Sequence, residues 1–143
     1  MDRRHPSDAS PHEAGPLRPR RLGDLVEADR GQYGSKSVYL ALLAGRGFPV
    51  PDGFAVAFGA DHPAALSPEE TRSVCGAYSE LCKRSEVDPV PVAVRSSAVG
   101  EDGDELSFAG QYSTRLDVVG AEHLVSAIEA CLDGQRSERA AAY

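Results

Sequence analysis

The strongest structural signal in this sequence is a helix that begins at Ser67 and has a single narrow apolar face. Ser67 precedes Pro68 and is followed three residues later by Glu70, the arrangement of a helix N-cap with a capping box. The apolar side chains behind it recur at helical spacing and are all expected to face the core, namely Val74, Cys75, Tyr78, Leu81 and Cys82. Such a helix must pack against another element, so its partners constrain the fold.

Short apolar runs and further helical patterns supply these partners. Buried strands are predicted at residues 54–58 and 91–95, with a third over 111–118 whose alternation puts Tyr112, Thr114, Leu116 and Val118 on one side. Helices are predicted at residues 35–46 and 121–132, and a further helical pattern begins at 137–143 without a closing turn. Strands that alternate with helices predict a mixed α/β fold.

The first 21 residues differ from the rest in composition. They hold five arginines and four prolines with few apolar side chains, so they cannot bury enough surface to offset the entropy of ordering. We therefore expect a disordered tail over residues 1–21 and one folded portion over 22–143.

Charge and cysteine usage exclude several classes of protein. The net charge of −7 argues against a general nucleic-acid binder, and no apolar run is long enough to span a membrane. Three cysteines without paired spacing fit a reducing compartment, so a cytoplasmic location is expected. The four histidines lack any triad-like or metal-like setting, and structural or solvent roles are expected for them.

Three segments could carry chemistry. Residues 31–37 combine glycines, Lys36 and hydroxyls as a phosphate cradle does. Their spacing is not that of a Walker A loop, however, and on spacing alone a plain loop-to-helix turn is the favoured interpretation. Arg95, Ser96 and Ser97 follow a predicted strand, where ligands tend to bind; alternatively, Arg95 is a surface residue paired with Glu101 or Asp102. Residues 107–114 form a small-residue turn that fits either close approach to a ligand or an ordinary hairpin.

Taken in order, these segments resemble one family. Gly34-Ser35-Lys36-Ser37, Leu40, Leu43 and the segment 47–54 resemble the opening of the nucleotide-binding domain of phosphoenolpyruvate synthase, pyruvate phosphate dikinase and rifampin phosphotransferase. The resemblance continues through the segment 94–98, Glu101-Asp102, the segment 107–111, Arg139-Ala140 and Ala142-Tyr143. It spans residues 22–143, and its specificity lies in the order of the motifs.

The resemblance implies part of an ATP-grasp-like domain that binds Mg-ATP and passes phosphoryl groups to a histidine on another domain. It implies that Lys36 and Arg95 contact the ATP phosphates. Further residues are expected near the nucleotide: Gly34, Ser96, Ser97, Gly110, Gln111 and Thr114. No catalytic residue or metal ligand is assigned within this chain, because the family's Mg²⁺ ligands lie further along.

Departures from the family pattern leave the activity of this chain open. Ser35 and Ser37 flank the lysine where the family has glycines, which questions backbone approach to phosphate. The family's domain also extends beyond the point reached at Tyr143, so we expect an incomplete domain, to which a separately encoded remainder could be a partner. The alternatives are a non-catalytic binding or regulatory module and an inactive truncated remnant. The phosphoryl acceptor is not specified by this sequence.

Overall fold

The computed structural model describes residues 18–59, 61–97 and 114–141, with side chains described as far as Ser137. This part of the chain contains both helices and small antiparallel sheets, which confirms the prediction of a mixed fold. The strands are β1 (Arg20–Arg21), β2 (Phe54–Ala55), β3 (Val92–Arg95) and β4 (Thr114–Val118). The α-helices are α1 (Arg30–Tyr33), α2 (Ser35–Gly45), α3 (Pro68–Ser85) and α4 (Ala121–Ala141), and two 3-10 turns lie at Leu22–Asp24 and Glu27–Asp29.

The first sheet is a short antiparallel pair of β1 and β2, in which Arg20 lies opposite Ala55. Next to this pair, the Leu22 amide donates to the Gly53 carbonyl oxygen at 2.9 Å. The predicted strand 54–58 is reduced to Phe54 and Ala55, because β1 offers only two residues for pairing. Arg20 and Arg21, the last residues of the expected tail, are ordered here because Arg20 Nη1 donates to Asp29 Oδ1 at 2.8 Å.

The start of α3 has the predicted capping box. Ser67 Oγ accepts from the Glu70 amide at 3.2 Å, and the Glu70 carboxylate accepts from the Ser67 amide at 3.4 Å. The predicted apolar face is buried with one exception, since Cys75 is only partly buried and lies outside the core cluster. Each residue turns the helix by about 100°, so Cys75 lies to one side when its neighbour Val74 points straight into the core.

The second sheet pairs β3 with β4 antiparallel, and here the predicted alternation fails. Val92 lies opposite Val118 while Val94 lies opposite Arg115, so β4 carries one extra residue between these two pairs. This extra residue forms a β-bulge, in which Asp117 has a φ of +54°. The alternation is shifted by it, and Leu116 is 65% exposed although the sequence pattern placed it on the same side as Val118.

The predicted helix at 121–132 continues as a single α4 through residue 141, so the pattern at 137–143 is not a separate helix. Gly134 lies inside it, which is tolerated in a helix at a modest cost. The main core lies between α3, α4 and the second sheet and contains Val74, Tyr78, Cys82, Val118, Leu124, Ala127, Ile128 and Leu132. A second cluster lies beneath α2 and contains Leu25, Tyr33, Val38, Ala41 and Ala55.

Candidate functional site

The first candidate segment, residues 31–37, runs from α1 through Gly34 into the N-terminus of α2. Gly34 is the N-cap residue, with φ +85° and ψ 160°, a backbone conformation that residues with a Cβ rarely adopt. Lys36 is exposed and occupies the second position of the helix, where it stands beside amides that have no partner within the helix. Because Gly34 has no side chain, it cannot cap these amides itself.

The cap comes instead from the second candidate segment. The Ser37 amide donates to Ser97 Oγ at 3.1 Å, although the two residues are separated by 60 positions in sequence. Ser97 lies two residues beyond the end of β3 at Arg95. The N-terminus of α2 therefore meets the carboxyl end of β3.

This contact is close enough to require glycine at position 34. A Cβ on Gly34 would overlap the carbonyl oxygen of Ser97 and would lie 2.5 Å from its hydroxyl oxygen. Ser97 Oγ thus occupies the space where the side chain of an N-cap residue would normally be. The absence of a side chain at position 34 is what makes room for the cap.

Arg95 is held at the end of β3 by pairing with β4. It lies directly opposite Thr114 in the ladder, so two predicted site residues are neighbours across the sheet. Arg95 is exposed, whereas the next residue, Ser96, is buried with 7% of its surface accessible. The exposed Lys36 and Arg95 therefore lie on two segments joined by the bond between Ser37 and Ser97.

The electrostatics of this region favour an anion. The N-terminus of a helix carries a partial positive charge, and a lysine within its first turn and an arginine on the adjoining segment add to it. In proteins generally, arginine and lysine side chains and the amides at helix N-termini bind phosphate oxygens. Gly110 and Gln111, as well as Glu101 and Asp102 as alternative partners of Arg95, lie outside the described residues.

Sequence reasoning missed Asp52 as an organising residue. Asp52 accepts from Arg84 Nε at 2.9 Å and lies 3.6 Å from Arg21, so it joins the end of α3 to β1. The bond from Arg84 is the main cause of a lowered pKa for the Asp52 carboxyl, aided by the Gly53 amide. The sequence around Asp52 does not indicate this role, because the two arginines that it contacts are 31 and 32 residues away.

The histidines in the described residues have structural settings. His62 Nε2 lies 2.9 Å from the Glu70 carboxylate at the start of α3, and His123 Nδ1 lies 2.8 Å from the Val119 carbonyl oxygen. Within residues 18–59, 61–97 and 114–141, no group of three or more His, Cys, Asp or Glu could hold a metal ion. A search of the same residues for a helix long and apolar enough to cross a membrane also found none.

Comparisons with known proteins find relatives named phosphoenolpyruvate synthase. The chain is 44% identical over 80 residues to a probable phosphoenolpyruvate synthase of Methanocaldococcus jannaschii, and the alignment covers 55% of this chain and 7% of that protein. It is 42% identical over 83 residues to a probable phosphoenolpyruvate synthase of Pyrococcus abyssi, covering 58% of this chain and 10% of the relative. It is also 41% identical over 76 residues to the phosphoenolpyruvate synthase of Aquifex aeolicus, and this alignment covers 53% of this chain and 9% of the relative.

These relatives are far longer than this chain, which spans only about a tenth of their length or less. No solved structure matches significantly. The family described as the AMP/ATP-binding domain of pyruvate phosphate dikinase matches residues 62–143, a range that includes Arg95, Ser97 and Thr114 and excludes Lys36. Since this match covers more than half of the 143 residues, the chain belongs to the family of the pyruvate phosphate dikinase AMP/ATP-binding domain.

Proposed function

We propose that this chain binds Mg-ATP through Lys36 and Arg95 as part of an ATP-grasp-like domain. The observation that carries the proposal is the bond from the Ser37 amide to Ser97 Oγ at 3.1 Å, which joins the two segments bearing these cations. Family membership supports a nucleotide as the ligand, and the relatives named phosphoenolpyruvate synthase support a phosphoryl-transfer reaction.

The residues at this place suit the chemistry of a triphosphate. Phosphoryl transfer requires mainly positioning and neutralisation of negative charge, because the charge spreads over the phosphate oxygens in the transition state. Lys36 would provide a point charge beside the N-terminus of α2, and Arg95 a planar guanidinium able to hold two oxygens at once. Gly34, Ser96, Ser97 and Thr114 would line the nucleotide, together with Gly110 and Gln111 from the segment outside the described residues.

The full reaction requires further parts. We propose that Mg-ATP, when bound, supplies a phosphoryl group that passes to a histidine on another domain, and that the Mg²⁺ ligands also lie outside this chain. A separately encoded remainder of the enzyme would then be its partner, in the cytoplasm. A remainder on another chain is consistent with the comparisons, because the matched segment covers only 7% to 10% of the length of these relatives.

Isothermal calorimetry with Mg-ATP tests the binding step. We expect Lys36→Ala and Arg95→Ala each to weaken binding by about tenfold or more, as expected for loss of a charge-assisted phosphate contact worth about 1.5–3 kcal/mol. Lys83→Ala and Arg72→Ala remove the same two charge types from exposed positions on α3 and serve as matched controls. Circular dichroism of every variant confirms that it is folded.

Two outcomes would contradict the proposal. Equal loss of affinity in the two control variants would indicate a general charge effect and not a site at Lys36 and Arg95. A folded chain without any affinity for Mg-ATP would favour the alternative of a non-catalytic module or a remnant of this domain.

A further inference from the structure

We infer that Ser97 is a positioning residue that caps α2 from the end of β3 and thereby sets the Lys36 segment relative to Arg95. The inference rests on the proposed function for its consequence on nucleotide binding, although the cap itself can be tested without nucleotide. It gives Ser97 a role that neither the sequence motif nor the family match assigns.

The geometry is that of an N-cap supplied from elsewhere in the chain. An N-cap side chain normally accepts from the amide of the second or third helical residue. In α2 the third residue is Ser37, and its amide donates to Ser97 Oγ at 3.1 Å. The residue at the N-cap position is Gly34, and it makes no side-chain cap of its own.

Two further observations show that the position of Ser97 is specific. A Cβ on Gly34 would meet both the carbonyl oxygen and the hydroxyl of Ser97, so backbone and side chain pack directly on the glycine. The neighbouring Ser96 is buried, which anchors the segment after β3 against the protein. A shift of this segment would therefore move Ser97 away from Ser37 and release the first turn of α2.

The placement of Ser97 explains why its effect would reach the phosphate site. Lys36 precedes the residue whose amide Ser97 caps, and Arg95 lies two residues before Ser97 in sequence. The two proposed phosphate ligands are thus linked through one hydroxyl group. Small misplacements of binding groups are costly when two cations must meet one ligand.

Amide hydrogen exchange of the chain without nucleotide tests the cap. We expect Ser97→Ala to speed exchange at Ser37 by about tenfold, a value within the range for loss of an N-cap bond. Ser97→Thr, which keeps the hydroxyl, is expected to restore most of the protection. Unchanged exchange at Ser37 in Ser97→Ala would overturn the inference, whether or not the chain binds nucleotide.

Calorimetry with Mg-ATP then tests positioning. Ser67→Ala is the matched control, because it removes the cap of α3, where Ser67 Oγ accepts from the Glu70 amide at 3.2 Å. We expect Ser97→Ala to weaken Mg-ATP binding about tenfold while Ser67→Ala leaves it unchanged, although both variants lose a helix cap. Equal affinities of Ser97→Ala and Ser67→Ala for Mg-ATP would overturn the positioning role of Ser97. The proposed function fails separately if Lys36→Ala binds Mg-ATP as well as the unmodified chain does.

Discussion

Replacement of Gly34 by alanine is the sharpest test of how the two candidate segments meet. The backbone at Gly34 has φ +85° and ψ 160°, a region that only glycine adopts without strain. A methyl group at this position would also overlap the carbonyl oxygen of Ser97. The substitution therefore combines backbone strain with a steric clash at the contact between α2 and the end of β3.

The expected loss of stability follows from these two parts. Backbone strain of this kind costs about 1–3 kcal/mol. Displacement of Ser97 removes the cap on the Ser37 amide, which adds about 1 kcal/mol. We therefore expect Gly34→Ala to lower the free energy of unfolding by about 2–4 kcal/mol, a large fraction of the roughly 5–15 kcal/mol that holds a typical domain together.

Urea denaturation followed by circular dichroism measures this loss against two other glycines. A Cβ on Gly47, at φ +87°, would meet no atom within 4 Å, so Gly47→Ala isolates backbone strain and should cost about 1–2 kcal/mol. Gly76 is exposed in the middle of α3 with open space around it, so Gly76→Ala should stabilise the protein by about 0.5–1 kcal/mol. A cost for Gly34→Ala no greater than that for Gly47→Ala would refute the clash with Ser97.

Three further predictions concern the scaffold. Tyr78 Oη donates to the Val90 carbonyl oxygen at 2.6 Å and accepts from the Gly120 amide at 3.1 Å. Tyr78→Phe leaves both backbone groups without this partner, so it should lower the free energy of unfolding in urea by about 1–3 kcal/mol. A neutral result would show that water replaces the hydroxyl. The hydrogen bond from Arg84 is the main cause of the lowered pKa of the Asp52 carboxyl, so the ionised carboxylate stabilises the folded state above pH about 4. This stabilisation is lost as the pH falls through the lower pKa of the folded state. Asp52→Asn should therefore flatten the plot of stability against pH below pH about 4, and an unchanged plot would contradict this. Burial raises the pKa of the Cys131 thiol, so Cys131 should react with iodoacetamide more slowly than the partly buried Cys75. Mass spectrometry measures the order of modification, and faster reaction of Cys131 would be inconsistent with the packing of α4.

Local signals in the sequence predicted the helices well. The start of α3 was predictable because its cap, its proline and its capping glutamate lie within four residues of one another. The start of α4 at Ala121 was predictable for the same kind of reason, since apolar residues three and four positions apart share one side of a helix. Neither prediction required knowledge of distant parts of the chain.

The failures of prediction have nonlocal causes. The exposure of Leu116 depends on a bulge at Asp117, which is defined only by the pairing of β4 with β3. The order at Arg20 and Arg21 depends on pairing with β2 and on the bond from Arg20 to Asp29. In both cases the deciding partner lies on another segment, so composition and alternation could not reveal it.

The candidate site shows the same division. The sequence singled out Gly34, Lys36 and Arg95 from local motifs, and family resemblance supplied the expectation that they serve one ligand. The cap that joins their segments could not be predicted, because a serine that bonds an amide 60 residues away has no local signature. Only the structure identifies Ser97 as the residue in contact with both Gly34 and Ser37.

The structure also shows which position in the segment around Lys36 requires glycine. Ser35 and Ser37 lie inside α2, where a helical backbone suits any ordinary residue, so their positions in this fold do not demand glycine. The position that does demand it is Gly34, where positive φ and the approach of Ser97 leave no space for a side chain. Serines at positions 35 and 37 are therefore compatible with the turn, and Lys36 lies at the second position of the helix.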